Sequence, residues 1–152
     1  MSGEALGKFQ KKIMKSLLIF VTCKNLNFFL DEDHKVENLF SLEKEWAGPD
    51  DKMASIILDL GCEETMNMIQ ILNSHKERAT KEFTVSVSKD SDGPWEEVVR
   101  STFEDRTKHQ QSQPLKTFHF NQKQIHYVKI DVLSYYGLGA GLKFVHLKGR
   151  QN

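Results

Sequence analysis

Phe83-Thr84-Val85-Ser86-Val87-Ser88, running through Asp90-Ser91-Asp92-Gly93-Pro94 into Trp95 to Val99, is the stretch that decides the fold. In an extended chain successive side chains point to opposite faces. Phe83, Val85 and Val87 therefore share one face, and the hydroxyls of Thr84, Ser86 and Ser88 take the other. The Asp-Ser-Asp-Gly-Pro cluster carries turn chemistry, so the stretch predicts a β-hairpin. Outward from it the same period recurs. Val128, Ile130 and Val132 alternate with Lys129 and Asp131, Thr117 to Phe120 alternates, and Leu142 to Leu147 reads as the last strand. Upstream, Ser55, Ile57 and Asp59 alternate with Ile56, Leu58 and Leu60. Ile56–Leu60 and Met66–Leu72 are the more uniformly apolar segments, as central strands are. Glu104–Pro114, rich in Gln, Ser, Lys and His, reads as a surface loop. Six or more short strands, with no long amphipathic helix after residue 20, predict an all-β fold: an antiparallel β-sandwich or jelly roll.

The 152 residues are one domain's worth of chain, with 39% hydrophobic and 28% charged residues. That composition suits a globular core rather than a disordered chain. Twenty-one basic residues balance twenty-one acidic ones, which argues against a dedicated nucleic-acid binder. No apolar run approaches the ~20 residues that span a bilayer. Two cysteines exclude a disulfide-dense scaffold and a four-cysteine zinc site. Cys23 and Cys62 are expected to behave as buried small apolar residues.

The first segment has a different pattern. Leu6, Phe9, Ile13 and Leu17 fall near helical spacing, with Lys8, Lys11, Lys12 and Lys15 mostly elsewhere. Residues 1–16 are read as a short N-terminal helix or leader, and 17–150 as a single sandwich domain. The lysines before Leu17–Val21 also resemble a signal peptide, but the apolar stretch is short and late and lacks a small-x-small cleavage site.

No motif demands an enzyme. Gly137-Leu138-Gly139-Ala140-Gly141 lacks the following helix and βαβ context that a phosphate-binding loop requires. It is better read as a turn that lets two strands approach. Asp90-Ser91-Asp92-Gly93 has neither the glycine nor the closing carboxylate of a calcium loop. The Asp31-Glu32-Asp33-His34 cluster reads as a solvated acidic loop. His119 and His126 would have to meet across neighbouring strands to hold a metal. No cofactor is expected.

The ordered set of segments resembles the discoidin domain, the C-type domain of coagulation factors V and VIII, within the galactose-binding-like superfamily. Ile56-Ile57-Leu58-Asp59-Leu60-Gly61 resembles its aliphatic-Asp-Leu-Gly strand, and Val36–Leu39 with Trp46 its Asn-aliphatic and Trp segment. Lys81–Ser88 through Gly93 and Trp95 resembles its Ser-x-Asp-Gly-x-x-Trp hairpin, and Tyr127–Ile130 its later strand. The resemblance implies an antiparallel sandwich and a non-catalytic role: binding carbohydrate, anionic lipid or protein through loops at one end. Trp46 and Trp95 match positions that read as core. The family's terminal disulfide has no counterpart here, and Ser41-Leu42 after Phe40 departs from its calcium-binding relatives.

On that frame the rim loops include Asn25–His34 and Asn73–Arg78. Asn73, His75, Lys76 and Arg78 are the candidate ligand-binding residues, because amide, imidazole, ammonium and guanidinium groups together suit sugar hydroxyls or a carboxylate. The expected partner is a glycan or an extracellular protein, without membrane insertion: only Phe28-Phe29 could serve as an apolar loop tip, and they read equally well as core. The alternative is an intracellular protein-interaction module, which the weak signal-peptide pattern leaves open.

Overall fold

The computed structural model describes residues 31–40, 44–51, 53–74, 77–106 and 114–149, and the backbone of 20–22. The N-terminal helix or leader, Cys23, Phe28-Phe29, His75, Lys76 and the middle of the 104–114 loop lie outside the described residues. The rest is built from nine strands: β1 Phe20–Thr22, β2 Trp46–Ala47, β3 Ala54–Asn73, β4 Arg78–Thr80, β5 Glu82–Ser88, β6 Glu96–Thr102, β7 Leu115–Val132, β8 Tyr135–Gly137 and β9 Gly141–Lys148. All pairings are antiparallel.

Two long strands make the sandwich. The first half of β3 pairs with β1 and with the second half of β7, which continues to β5 and β6. The second half of β3 pairs with the first half of β7 and with β9, which ends on β2. A front layer and a back layer thus share β3 and β7. Both strands change layer where the register breaks between Asp59 and Glu64. Gly61 sits in that break at φ 83°, and its N–H donates to the Asp59 carboxylate at 2.8 Å. The segments Ile56–Leu60 and Met66–Leu72, which sequence periodicity separates, are one strand, and so are the segments around Phe118 and Ile130. Local alternation carries no record of the bend that joins them.

The expected hairpin forms as β5 and β6. Its inward side chains fill the core: Phe83 stacks on Phe103 at 4.8 Å between ring centroids and meets Phe118 of the back layer edge-on at 5.7 Å. Ile56, Leu58, Ile69, Ile71, Val128, Ile130, Val145 and Leu147 complete the seam. A short 3-10 turn, Val36–Phe40, buries Val36, Leu39 and Phe40 beside the fully buried Trp46.

Three expectations are corrected. Trp95 is half-buried rather than core: it lies at the mouth of the hairpin, with the Lys129 ammonium 4.7 Å from its ring centroid. His119 and His126 both belong to β7 and so cannot face each other across neighbouring strands. His126 pairs instead with Asp59, at 3.0 Å. Cys62 is a free thiol and exposed, because the register break carries it out of the ladder. Its S–H donates to Glu64 at 3.2 Å, and that carboxylate raises the thiol's pKa.

Candidate functional site

At the start of β5 the chain gathers four separate segments around Arg78. The short β4–β8 pair places Arg78 opposite Gly137. Gly48 N–H donates to Ala140 O at 2.9 Å, and Asp51 N–H donates to Leu138 O at 2.9 Å, which clips the 46–51 segment to the β8–β9 turn. The guanidinium of Arg78 forms an ion pair with Asp50 and donates to Gly48 O at 3.1 Å. Its side chain keeps 16% of its surface exposed, whereas that of Asp50 keeps 59%. Arg78 is therefore held in one place with an edge toward solvent, and Asp50 stands beside it.

The glycines of residues 137–141 make this seat. A Cβ on Gly141 would lie 2.0 Å from Arg78 O, and one on Gly139 would lie 2.9 Å from the Arg78 guanidinium. Gly137, at φ 80°, packs against Glu77 O in the same way. The glycine run is thus a close backbone approach, as its sequence context suggests. Leu138, at the tip, is 48% exposed.

A second cluster centres on Asp31. Its Oδ1 lies 2.5 Å from His34 Nδ1 and accepts from Asp33 N–H at 3.0 Å, capping a one-turn 3-10 segment, Glu32–His34. The His34 bond, with a smaller contribution from the Arg78 charge, holds the Asp31 carboxyl below the usual aspartate range. Asn38 anchors the 3-10 segment by donating to Asp33 O at 2.8 Å and Glu45 O at 3.1 Å.

The four candidate residues have different placements. Asn73 is 1% exposed, and its amide bridges back to Thr80: Nδ2 donates to Thr80 O at 2.9 Å, and Oδ1 accepts from Thr80 N–H at 3.0 Å and Ser74 N–H at 2.9 Å. Its polar atoms brace the loop from inside, so it supplies no group to a ligand. Arg78 stands at the rim. His75 and Lys76 lie outside the described residues. Asp50, Asp31 and His34 were not singled out as ligand-binding residues. Only the fold carries Asp50 to Arg78, from 28 positions away in the chain. Among the described residues no group of three His, Cys, Asp or Glu could hold a metal ion, and no helix is long and apolar enough to cross a membrane.

The sequence pattern of the F5/8 type C domain matches residues 29–144. The chain belongs to the F5/8 type C family. No curated protein matches the chain in sequence. Solved structures of the same fold include CpGH89CBM32-5 from Clostridium perfringens, in complex with GalNAc-β-1,3-galactose. It is 16% identical with a TM-score of 0.67, over 94% of this chain and 98% of that one. CBM32-3 from a family 31 glycoside hydrolase of the same organism is 20% identical with a TM-score of 0.66, over 86% and 88%. Chitosan-binding module 1 from a chitosanase/glucanase of Paenibacillus sp. IK-5 is 18% identical with a TM-score of 0.64, over 86% and 93%. At these identities the likeness shows the fold, the antiparallel β-sandwich expected from the sequence.

Proposed function

We propose that this F5/8 type C domain is a non-catalytic glycan-binding module whose ligand docks at the rim around Arg78. The observation that carries the reading is the seating of that guanidinium. It is fixed by Asp50 and Gly48 O inside a glycine cradle, yet one edge stays open. A fixed donor beside exposed carboxylates suits vicinal sugar hydroxyls, which accept from one group and donate to the other. Pre-fixing the pair lowers the ordering cost of binding. The proposed contacts are Arg78, Asp50, Asp31 and His34, together with His75 and Lys76 from the loop that leads into β4. The sugar-bound or sugar-binding modules of the same fold support the class of ligand.

A glycan array identifies the ligand, and titration calorimetry then compares Arg78→Ala and Asp50→Asn with the unaltered domain. Each substitution is expected to weaken binding by about 1–3 kcal/mol, the range for a lost charge-assisted hydrogen bond. An array with no glycan above background overturns the glycan reading. Folded variants of both positions that bind normally overturn the site.

A further inference from the structure

The outer faces of the two layers differ, although the same two long strands run through both. Residues directly opposite each other in a ladder share a face. On the front layer Ser55, Asp131, Thr84 and Arg100 make one outward row, polar throughout. On the back layer Leu115, Leu72 and Phe144 stand side by side as one outward row. Met68 lies further along the same face, between His119 and Lys148. Leu115 is 48% exposed, and Leu72, Phe144 and Met68 are half-buried. None of the four belongs to the core cluster between the layers. A solvated sheet face ordinarily carries polar residues, so an apolar row across three strands marks a surface that takes a partner.

The chain itself holds a segment of the right chemistry that enters at the right place. Residues 1–19 precede β1. β1 runs antiparallel to β3 with Phe20 opposite Asp59. The chain therefore reaches β1 from the register break at Gly61, where β3 passes into the back layer. β9 flanks β3 on the same side and ends there, with Lys148 opposite Met68. At about 100° per residue, Leu6, Phe9, Ile13 and Leu17 fall in one narrow stripe, and Lys8, Lys11, Lys12 and Lys15 fall opposite it. A helix this short is marginal alone and needs a surface for its apolar stripe. From Leu6 to Leu17 a helix rises about 16 Å, and β3 covers about 13 Å from Met68 to Leu72. Stripe and face are thus of similar length. Residues 107–113, which lead toward Leu115, hold no apolar side chain and do not suit the row.

We infer that residues 4–16 dock as an amphipathic helix on the outer face of the back sheet, with Leu6, Phe9 and Ile13 against Leu115, Leu72 and Phe144. The inference does not depend on the rim reading. It is tested on the isotope-labelled full chain by nuclear Overhauser contacts. Contacts from the Leu6 and Ile13 methyls to Leu72, Leu115 or the Phe144 ring are expected. In a mixture of labelled and unlabelled chains they should arise within one molecule. Trypsin should cut after Lys11 and Lys12 roughly tenfold faster in Phe9→Asp, and in Leu115→Thr/Phe144→Thr, than in the unaltered chain, because cleavage follows the population of the undocked segment. An unchanged amide spectrum over Phe83–Ser88 checks that each variant is folded. Should the face variant fail that check, Phe9→Asp decides, since it leaves the sandwich core intact. Absence of contacts between the segment and the face overturns the inference, and so do equal cleavage rates. Contacts that arise only between molecules also overturn it and make a second copy the occupant. Contacts to the face from Phe28-Phe29 in place of Leu6 and Ile13 overturn it as well.

Discussion

The two ends of β5 handle the same kinds of residue in opposite ways. Before the strand, Trp46 is fully buried, Asn73 is buried and Arg78 is pinned by Asp50 and a backbone carbonyl. After it, Trp95 is half-buried under the Lys129 ammonium, and Lys89, Asp90 and Glu96 are exposed around the hairpin turn. The difference lies in the neighbours. The first end has Gly137, Gly139 and Gly141, which let three backbones close on one another and leave polar side chains no exit except into hydrogen bonds. The hairpin end is a single turn whose neighbours from β7, Lys123 beside Glu96 and Lys129 over Trp95, are long side chains rather than backbone. Residue type therefore says little about role until the surrounding backbone is known.

Substituting the two tryptophans tests the contrast most strongly. Trp46→Ala should cost ~3–5 kcal/mol in urea unfolding, as removal of a buried aromatic ring does. Trp95→Ala should cost only about 1 kcal/mol, the scale of a partly exposed ring with its cation contact. Equal losses would erase the distinction between the two ends.

The glycines come next. Gly141→Ala places a methyl carbon 2.0 Å from Arg78 O, a backbone atom that cannot swing aside. A loss of about 2–3 kcal/mol is expected. At the other end, Gly93 has φ 93° and its Cβ would meet mainly the Trp95 ring. Gly93→Ala should cost about 1–2 kcal/mol, mainly the left-handed penalty. A thermal melt of each variant ranks them.

Asn73→Ala removes both halves of the Thr80 bridge and leaves buried backbone groups unpaired. About 2 kcal/mol should be lost. Lys89→Ala at the hairpin should stay within about 0.5 kcal/mol, as exposed positions do. A neutral Asn73→Ala would mean that the loop before β4 relaxes freely, and the rigid seat for Arg78 would lose its support.

The smallest effect is in acid. The folded-state pKa of Asp31 lies below its ordinary value of 3.8, chiefly through the His34 bond. A depressed carboxylate contributes stability that is present above the unfolded pKa and lost as pH falls through the folded one. Melting temperature followed downward from pH 5 should therefore drop slightly less in Asp31→Asn than in the unaltered chain, with the difference confined to about pH 4 and below. Identical acid limbs would remove Asp31 from the rim's electrostatics.

Much of this architecture was legible because a strand's two faces are written at period two. The hairpin, the seam of Val128, Ile130 and Val132, and the closing strand could be read that way, and the ordered motifs named the family. Trp46 was read correctly as core. Trp95 was not, because identical side chains at family positions carry no information on what covers them. The layer change of β3 and β7 was also hidden, since a register break is a relation between two strands rather than a property of either. Of the four polar residues chosen for the site, Arg78 stands at the rim, while Asn73 turned inward because Thr80 offers a backbone donor and acceptor at the right spacing.

By itself, the sequence determined a globular all-β sandwich of the discoidin type and the identity of its core hairpin. Those follow from local alternation, turn chemistry and motif order, all of which are properties of neighbouring residues. Only the tertiary structure decided which polar groups meet. Asp50 and Arg78 converge because antiparallel pairing and a glycine-lined turn bring distant segments together. Thr84 and Ser86 look like an ordinary solvent face in the sequence. They are buried once β6 and β7 set Glu97, Arg100 and Asp131 on either side, because burial on a sheet is imposed by the neighbouring strands.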